Sequence, residues 1–127
     1  MKTLKVILSL ILSSVVINVW IFRFNRSTMY RGGDSSNMIE EFAIYGLNEA
    51  FVYIVGAFKI LAALGILIGL FRKNLIIPSA LLMALLMAVA LFMHFKVGDD
   101  MIKFLPAFLM LILSLSLFQL QRIEQNS

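Results

Sequence analysis

The sequence has no cysteine, and it has only one histidine, one tryptophan and two prolines among 127 residues. Without cysteine, we expect no disulfide, no thiolate nucleophile, no Cys-ligated zinc and no iron–sulfur centre. A single histidine also excludes a bis-histidine haem. Any redox role would therefore require a partner protein or a bound cofactor of another kind.

Charge is scarce as well. Charged residues make up 14% of the chain and hydrophobic residues 61%, against about 25% and 45–50% in ordinary soluble domains. A soluble monomer of this size would expose large apolar patches, because small domains bury only about two-thirds of their unfolded surface. The net charge is +4, but the basic residues stand scattered between apolar runs and form no patch for nucleic acid. The composition therefore predicts a lipid bilayer, not nucleic acid, as the partner.

Four apolar runs are long enough to cross a bilayer as helices, which takes about 17–25 residues. The predicted spans are residues 6–22, 51–71, 75–95 and 104–120. We expect the first span to remain uncleaved, because Trp20, Phe22 and Arg23 border it and a signal peptide has a shorter apolar core. None of the runs has a polar stripe or strict alternation. The predicted fold class is all-α, an integral membrane four-helix bundle that forms a single domain over residues 1–127.

A long connection, residues 23–50, separates the first two spans. Asn37 followed by Glu40 resembles a capping box, and Gly46 can end a helix in the left-handed conformation. These signals predict a short lid helix over about 37–46. Its apolar side chains are expected to lie against the bundle: Met38, Phe42, Ile44 and Tyr45.

The orientation in the membrane is not decided by basic residues, which divide five to five. The side of both termini carries Lys2, Lys5, Arg72, Lys73 and Arg122, and the other side carries Arg23, Arg26, Arg31, Lys96 and Lys103. Six of the seven acidic residues lie on the side of the long loop, and only Glu124 lies opposite. From this asymmetry we expect both termini in the cytoplasm, although acidic residues contribute little to orientation.

Lys59 is the most informative residue, because it lies inside the second span, about 12 Å from the nearer helix end. A lysine at such a depth costs roughly 2.5–3.5 kcal/mol even on the lenient insertion scale. Its helix face consists mostly of small residues that suit helix contact: Val55, Gly56, Ala62, Ala63 and Ile66. The ammonium group is therefore expected to point into the bundle as a ligand or proton site. The alternative is a snorkelling lysine, or a structural ion pair with Glu49 or another acidic residue.

Other polar residues lie at the same end of the predicted bundle. His94 ends the third span, where it could relay protons or simply match the helix dipole. Glu41 and Tyr45 are four residues apart on the lid helix, and Asp99 follows in the next turn. If the lid folds over the bundle, five side chains converge on one half-buried ligand pocket: Glu41, Tyr45, Lys59, His94 and Asp99. Solvated loop charge is the alternative for the acidic members.

Several segments resemble the DoxX-like family of small four-helix membrane proteins. They are Glu-Glu-Phe-Ala-Ile-Tyr-Gly-Leu at 40–47, Val-Gly-Ala-Phe-Lys-Ile-Leu-Ala-Ala at 55–63, Leu-Leu-Met-Ala-Val-Ala at 85–90, His94 and Gly98-Asp99. The sequence departs from a common family form at Asn48, where proline often follows Tyr-Gly-Leu, and at Lys59, where many relatives carry glutamate. The resemblance implies a bacterial inner-membrane protein. Some relatives are linked to quinone reduction or to thiol and oxidative stress, often as the membrane subunit of a larger oxidoreductase.

The leading hypothesis is an accessory membrane subunit of a redox assembly that binds a quinone-like headgroup under the lid. Lys59 would donate to a carbonyl oxygen, and His94 would relay protons from Glu41 or Asp99. A quinone is then the candidate cofactor, and a soluble or membrane oxidoreductase subunit or a second copy of the chain is the candidate partner. One alternative is a small proton-coupled transporter, although the first span offers only serines and Asn18 instead of a carboxylate. The other is a purely structural membrane partner.

Overall fold

The computed structural model describes residues 2–126, and its regular elements over this range are all helical. The α-helices are α1 (Lys2–Ile17), α2 (Met38–Ile44), α3 (Glu49–Ile68), α4 (Ile76–Lys96) and α5 (Met101–Asn126). A π-helical turn, Asn18–Phe22, continues α1, and a 3₁₀ turn, Lys73–Leu75, leads into α4. The predicted all-α class is confirmed.

Four helical segments within residues 2–126 are long and apolar enough to cross a membrane. They are Lys2–Phe22, Glu49–Ile68, Lys73–Lys96 and Met101–Asn126. Large apolar side chains such as Leu61, Leu85 and Phe92 are exposed on their outer faces. Such a surface is unfavourable in water but matches lipid chains. The structure therefore agrees with the predicted four-span membrane bundle.

The long helices pack as a ring in which α1 contacts α3 and α5, and α4 contacts α3 and α5. Two glycines bring α3 and α4 close together. A Cβ atom on Gly65 would lie 2.1 Å from Ser79 Oγ, and one on Gly69 would lie 2.6 Å from Ile76 Cγ1. Small residues allow helix backbones to approach in this way. The Gly65 and Gly69 pair therefore serves packing within the bundle.

The inner faces of α1 and α5 carry polar side chains, and these meet at the end of the bundle away from α2. Lys5 Nζ donates to Gln121 Oε1 at 2.8 Å and forms an ion pair with Glu124. Glu124 also binds Lys73 at 2.9 Å. We call Lys5, Lys73, Gln121 and Glu124 the basal cluster. It joins α1 and α5 to the turn that precedes α4.

The lid predicted over 37–46 is present as α2 and its two caps. Asn37 Oδ1 accepts from the Glu40 backbone N–H at 2.8 Å, and Asn37 Nδ2 donates to Glu40 Oε2 at 3.0 Å. Gly46 follows the helix with a φ of +85°, a conformation that favours glycine. Three of the four expected apolar side chains are buried: Met38, Phe42 and Tyr45. Ile44 is instead exposed and lies over Gly33.

Candidate functional site

A cavity of about 490 Å³ lies beneath the lid, with walls from all four long helices. Its lining is mainly apolar, and a small number of polar side chains converge on it. Four of the five predicted site residues line it: Glu41, Tyr45, Lys59 and His94. The fifth, Asp99, is not part of the lining but hydrogen-bonds the His94 ring. A mostly apolar cavity of this size with a few polar groups is typical of a small-molecule site.

Lys59 reaches the cavity from the middle of α3. Its Nζ lies 5.2 Å from the centroid of the Trp20 ring, within the range of a cation–π contact. Gly56 makes room for that ring, because a Cβ atom there would lie 2.7 Å from Trp20 Cε3. Glu49, named as a possible ion-pair partner in the alternative interpretation, instead accepts from the Tyr53 hydroxyl at 3.3 Å. Among residues 2–126, no acceptor hydrogen-bonds the Lys59 ammonium, so its N–H groups remain available to a ligand.

Glu41 lies on the buried side of the lid and accepts three hydrogen bonds. Its Oε1 accepts from Arg31 Nη1 at 3.0 Å, and its Oε2 accepts from the Gly32 N–H at 2.8 Å and from the Tyr45 hydroxyl at 2.7 Å. The buried Arg31 also donates to the backbone carbonyls of Arg23, Phe24 and Arg26. A buried carboxylate requires such pairing. Arg31 therefore both neutralises Glu41 and folds the preceding loop.

Tyr45 contributes its hydroxyl to Glu41 and its ring to the cavity wall. Burial, and then the neighbouring Glu41 carboxylate, raise the pKa of Tyr45 well above its usual value. The hydroxyl therefore remains protonated and continues to donate at neutral pH. The ring meets the His94 ring edge-on, with 5.8 Å between the centroids.

His94 and Asp99 form a hydrogen-bonded pair at the junction of α4 and α5. His94 Nδ1 lies 2.7 Å from Asp99 Oδ2, and Asp99 Oδ1 accepts from the Gly33 N–H at 2.8 Å. Lys103 approaches the same carboxylate oxygen at 4.0 Å and donates to the Gly33 carbonyl. In the tautomer that donates from Nδ1 to Asp99, Nε2 is the ring nitrogen that a ligand can use.

The profile of the DoxX-like family matches residues 14–117, and this stretch contains every polar residue described above around the cavity. The chain belongs to the DoxX-like family. Together with the four apolar helices, this membership identifies a multi-pass integral membrane protein. No curated protein and no solved structure matches the chain.

The cavity of this DoxX-like protein has an excess of positive charge. Four cationic side chains line it, Arg23, Arg31, Lys59 and Lys103, whereas two carboxylates, Glu41 and Asp99, lie in or beside it. Arg31 pairs with Glu41, and Lys103 lies near Asp99. Among the described residues, neither Lys59 nor the exposed Arg23 forms an ion pair with a carboxylate, and of these two only Lys59 lies within a span. The arrangement favours a ligand with electron-rich oxygen atoms. Within residues 2–126, no group of three His, Asp or Glu side chains is placed to hold a metal ion.

Three residues that line the cavity were not predicted from the sequence as site residues: Trp20, Arg31 and Lys103. The sequence places Trp20 at the membrane border because Phe22 and Arg23 follow it, and it places both basic residues among the loop charges. For Arg31 a signal exists in the Gly-Gly pair that follows it. Glycine lets a backbone N–H approach another group closely, and here both N–H groups bind buried carboxylates.

Proposed function

We propose that this DoxX-like protein binds a quinone headgroup in the cavity and acts as a membrane subunit of an oxidoreductase. The observation that supports this most directly is the Lys59 ammonium, which faces a mainly apolar cavity with no hydrogen-bond acceptor among residues 2–126. A quinone combines a flat apolar ring with carbonyl oxygens, so it fits both the walls and the donor. When bound, it supplies reversible two-electron, two-proton chemistry.

The side chains divide the work of binding and proton handling. Lys59 donates to a quinone oxygen, and Trp20 restricts the position of the ammonium through the cation–π contact. His94 holds or accepts a proton at Nε2, while Asp99 orients the ring through Nδ1. The Tyr45 hydroxyl stays protonated and donates a hydrogen bond to Glu41. Apolar walls exclude water from this set and strengthen its hydrogen bonds.

We further propose that the four spans and the lid form one domain in the bacterial inner membrane, with both termini in the cytoplasm. The family resemblance supports the location. The crowding of six acidic residues on the lid side supports the orientation. The proposed partner is an oxidoreductase subunit, which would provide the electron transfer that this chain alone does not.

Replacement of Lys59 by methionine tests the quinone site. Lys59→Met keeps a long side chain but removes the N–H donors, and a hydrogen bond from a charged group contributes about 1.5–3 kcal/mol. We expect quinone affinity to fall by roughly 10- to 100-fold. Equilibrium dialysis of the detergent-solubilised protein against a quinone measures this directly.

Lys2→Met is the matched control, because Lys2 is exposed on α1 and does not line the cavity. It should bind quinone like the wild type. Unchanged affinity in Lys59→Met, or no quinone binding by the wild type, would refute the proposed function.

A further inference from the structure

We propose that the cavity opens sideways to the lipid between α1 and α5, and that this opening holds the hydrocarbon tail of the bound quinone. This inference rests on the proposed function and specifies its ligand. The ligand is a tailed quinone taken up from within the bilayer, not a water-soluble one that approaches through the lid.

Several apolar side chains line the cavity and are also exposed; Val89 on α4 is one, at 44%, and three others flank the seam between α1 and α5. Val15 on α1 is 36% exposed, and Leu105 and Leu109 on α5 are 40% and 45% exposed. Met110 lines the same cavity but is buried on the inner face of α5. The wall thus passes from the core to the surface between adjacent positions of α5. We call Val15, Leu105 and Leu109 the portal.

Hydrogen bonds and ion pairs join α1 to α5 at only one end of the seam between them, among the described residues. Lys5 binds Gln121 and Glu124 in the basal cluster. Among residues 2–126, no other hydrogen bond or ion pair joins these two helices. The α1–α5 contact is also less extensive than the α3–α4 or α4–α5 contact. The seam at the portal therefore depends on side-chain packing alone, which a hydrocarbon chain can replace without leaving a polar group unpaired.

The lid and the loop before it, by contrast, are joined by hydrogen bonds to the region where α4 ends and α5 begins. Lys96 Nζ donates to the Tyr45 carbonyl at 3.0 Å, and the Gly33 N–H donates to Asp99 at 2.8 Å. Above the portal, the cavity lining continues to Arg23 and Tyr30, residue types that suit the headgroup layer. A ligand with its ring under the lid and its tail at the portal would match this gradient from polar to apolar.

Bulky substitutions at the portal test the inference. The variant Val15→Phe/Leu109→Phe narrows the opening, and Ile11→Phe/Leu115→Phe makes the same kind of change at positions that are 46% and 47% exposed outside the cavity. Trp20, the only tryptophan, lines the cavity, so quenching of its fluorescence reports binding. Each protein is titrated in lipid nanodiscs with a decyl-tailed quinone and with the same headgroup without a tail.

We expect the portal variant to lose at least 10-fold in affinity for the tailed quinone and to stay within twofold of the wild type for the tail-less one. The control variant should match the wild type for both. Equal affinity of portal variant and wild type for the tailed quinone, or an equal loss for both quinones, would overturn the portal. Absence of binding of either quinone to the wild type would overturn the proposed function itself. If the double variant does not fold, Leu109→Phe alone provides the same comparison.

Discussion

Glu41 and Asp99 hold the same loop from two sides, because each carboxylate accepts from one of two consecutive glycine N–H groups. Each also serves the cavity, Glu41 through Tyr45 and Asp99 through His94. Buried carboxylates are costly unless several donors surround them. At the scale of single residues, the fold of the loop and the chemistry of the cavity therefore depend on the same atoms.

Replacement of Tyr45 by phenylalanine should expose this dependence. Tyr45→Phe removes a donor from the buried Glu41, which should cost about 1.5–3 kcal/mol of folding stability. The raised pKa of Tyr45 also makes its contribution depend on pH. The unfolded tyrosine ionises above about pH 10 while the folded one stays protonated, so the contribution is complete below pH 10 and declines as the pH rises further.

The measurement is the thermal unfolding midpoint of wild type and Tyr45→Phe between pH 8 and 11. The gap between the two should be largest at the lower end and shrink above pH 10. Tyr30→Phe, which changes an exposed tyrosine whose hydroxyl makes no hydrogen bond among the described residues, should lower the midpoint at pH 8 less than Tyr45→Phe does. A gap that stays constant or widens above pH 10 would contradict the assignment.

At the scale of helices, the key arrangement is the π-helical turn at the end of α1, which brings Trp20 against α3. The ring fits over Gly56, and Lys59 contacts it less than one helical turn further along. Extra residues in a π turn shift all later side chains around the helix axis. This turn therefore places the Trp20 ring beside Lys59, the lysine by which α3 contributes to the cavity lining.

Gly56→Ala should push the Trp20 ring away from α3. The added Cβ would lie 2.7 Å from a rigid ring, so Trp20 must move. Overpacking of this kind costs about 1–3 kcal/mol. We expect a lower unfolding midpoint and a shift in the emission of Trp20, the only tryptophan. Ala57→Val, at an exposed neighbouring position, should cause neither change. An unchanged emission spectrum in Gly56→Ala would mean that the ring does not lie over Gly56.

The helices themselves could be predicted from the sequence, but the contacts between their side chains could not. Apolar run length locates the spans, and the spacing of Asn37 and Glu40 locates the lid, because both signals are local. The small residues around Lys59 predict that its ammonium points into the bundle, and in the structure Lys59 lines the cavity. No local pattern, however, records that Trp20 meets Gly56 across 36 positions or that Arg31 folds back to Glu41. Such contacts depend on how helices and loops pack in three dimensions.

At the scale of the whole molecule, the two ends of the bundle differ in character. The lid end holds the polar groups of the cavity, and the other end holds the basal cluster. The equal number of basic residues on the two sides leaves only a weak charge signal for orientation. Direct labelling is therefore the appropriate test of the proposed topology.

A chain without cysteine is suited to single-cysteine labelling. Ser36→Cys lies in the lid loop and Asn74→Cys in the turn at the other end, and both positions are exposed. In bacterial spheroplasts, a membrane-impermeant maleimide should label Ser36→Cys directly and Asn74→Cys only after the membrane is permeabilised. The reverse pattern would place the termini outside the cytoplasm, and labelling of both without permeabilisation would show that α3, the single span between the two positions, does not cross the membrane.

The basal cluster also bears on how the molecule is built during synthesis. Lys5 emerges from the ribosome long before its partners Gln121 and Glu124, which lie on the final helix of the bundle. Until α5 inserts, the ammonium of Lys5 can only reach back to the membrane surface. The ring of helices, and with it the cavity wall that α5 contributes, therefore closes last. A nascent chain stalled before α5 would hold three spans, those of α1, α3 and α4, in the membrane but would have no enclosed cavity.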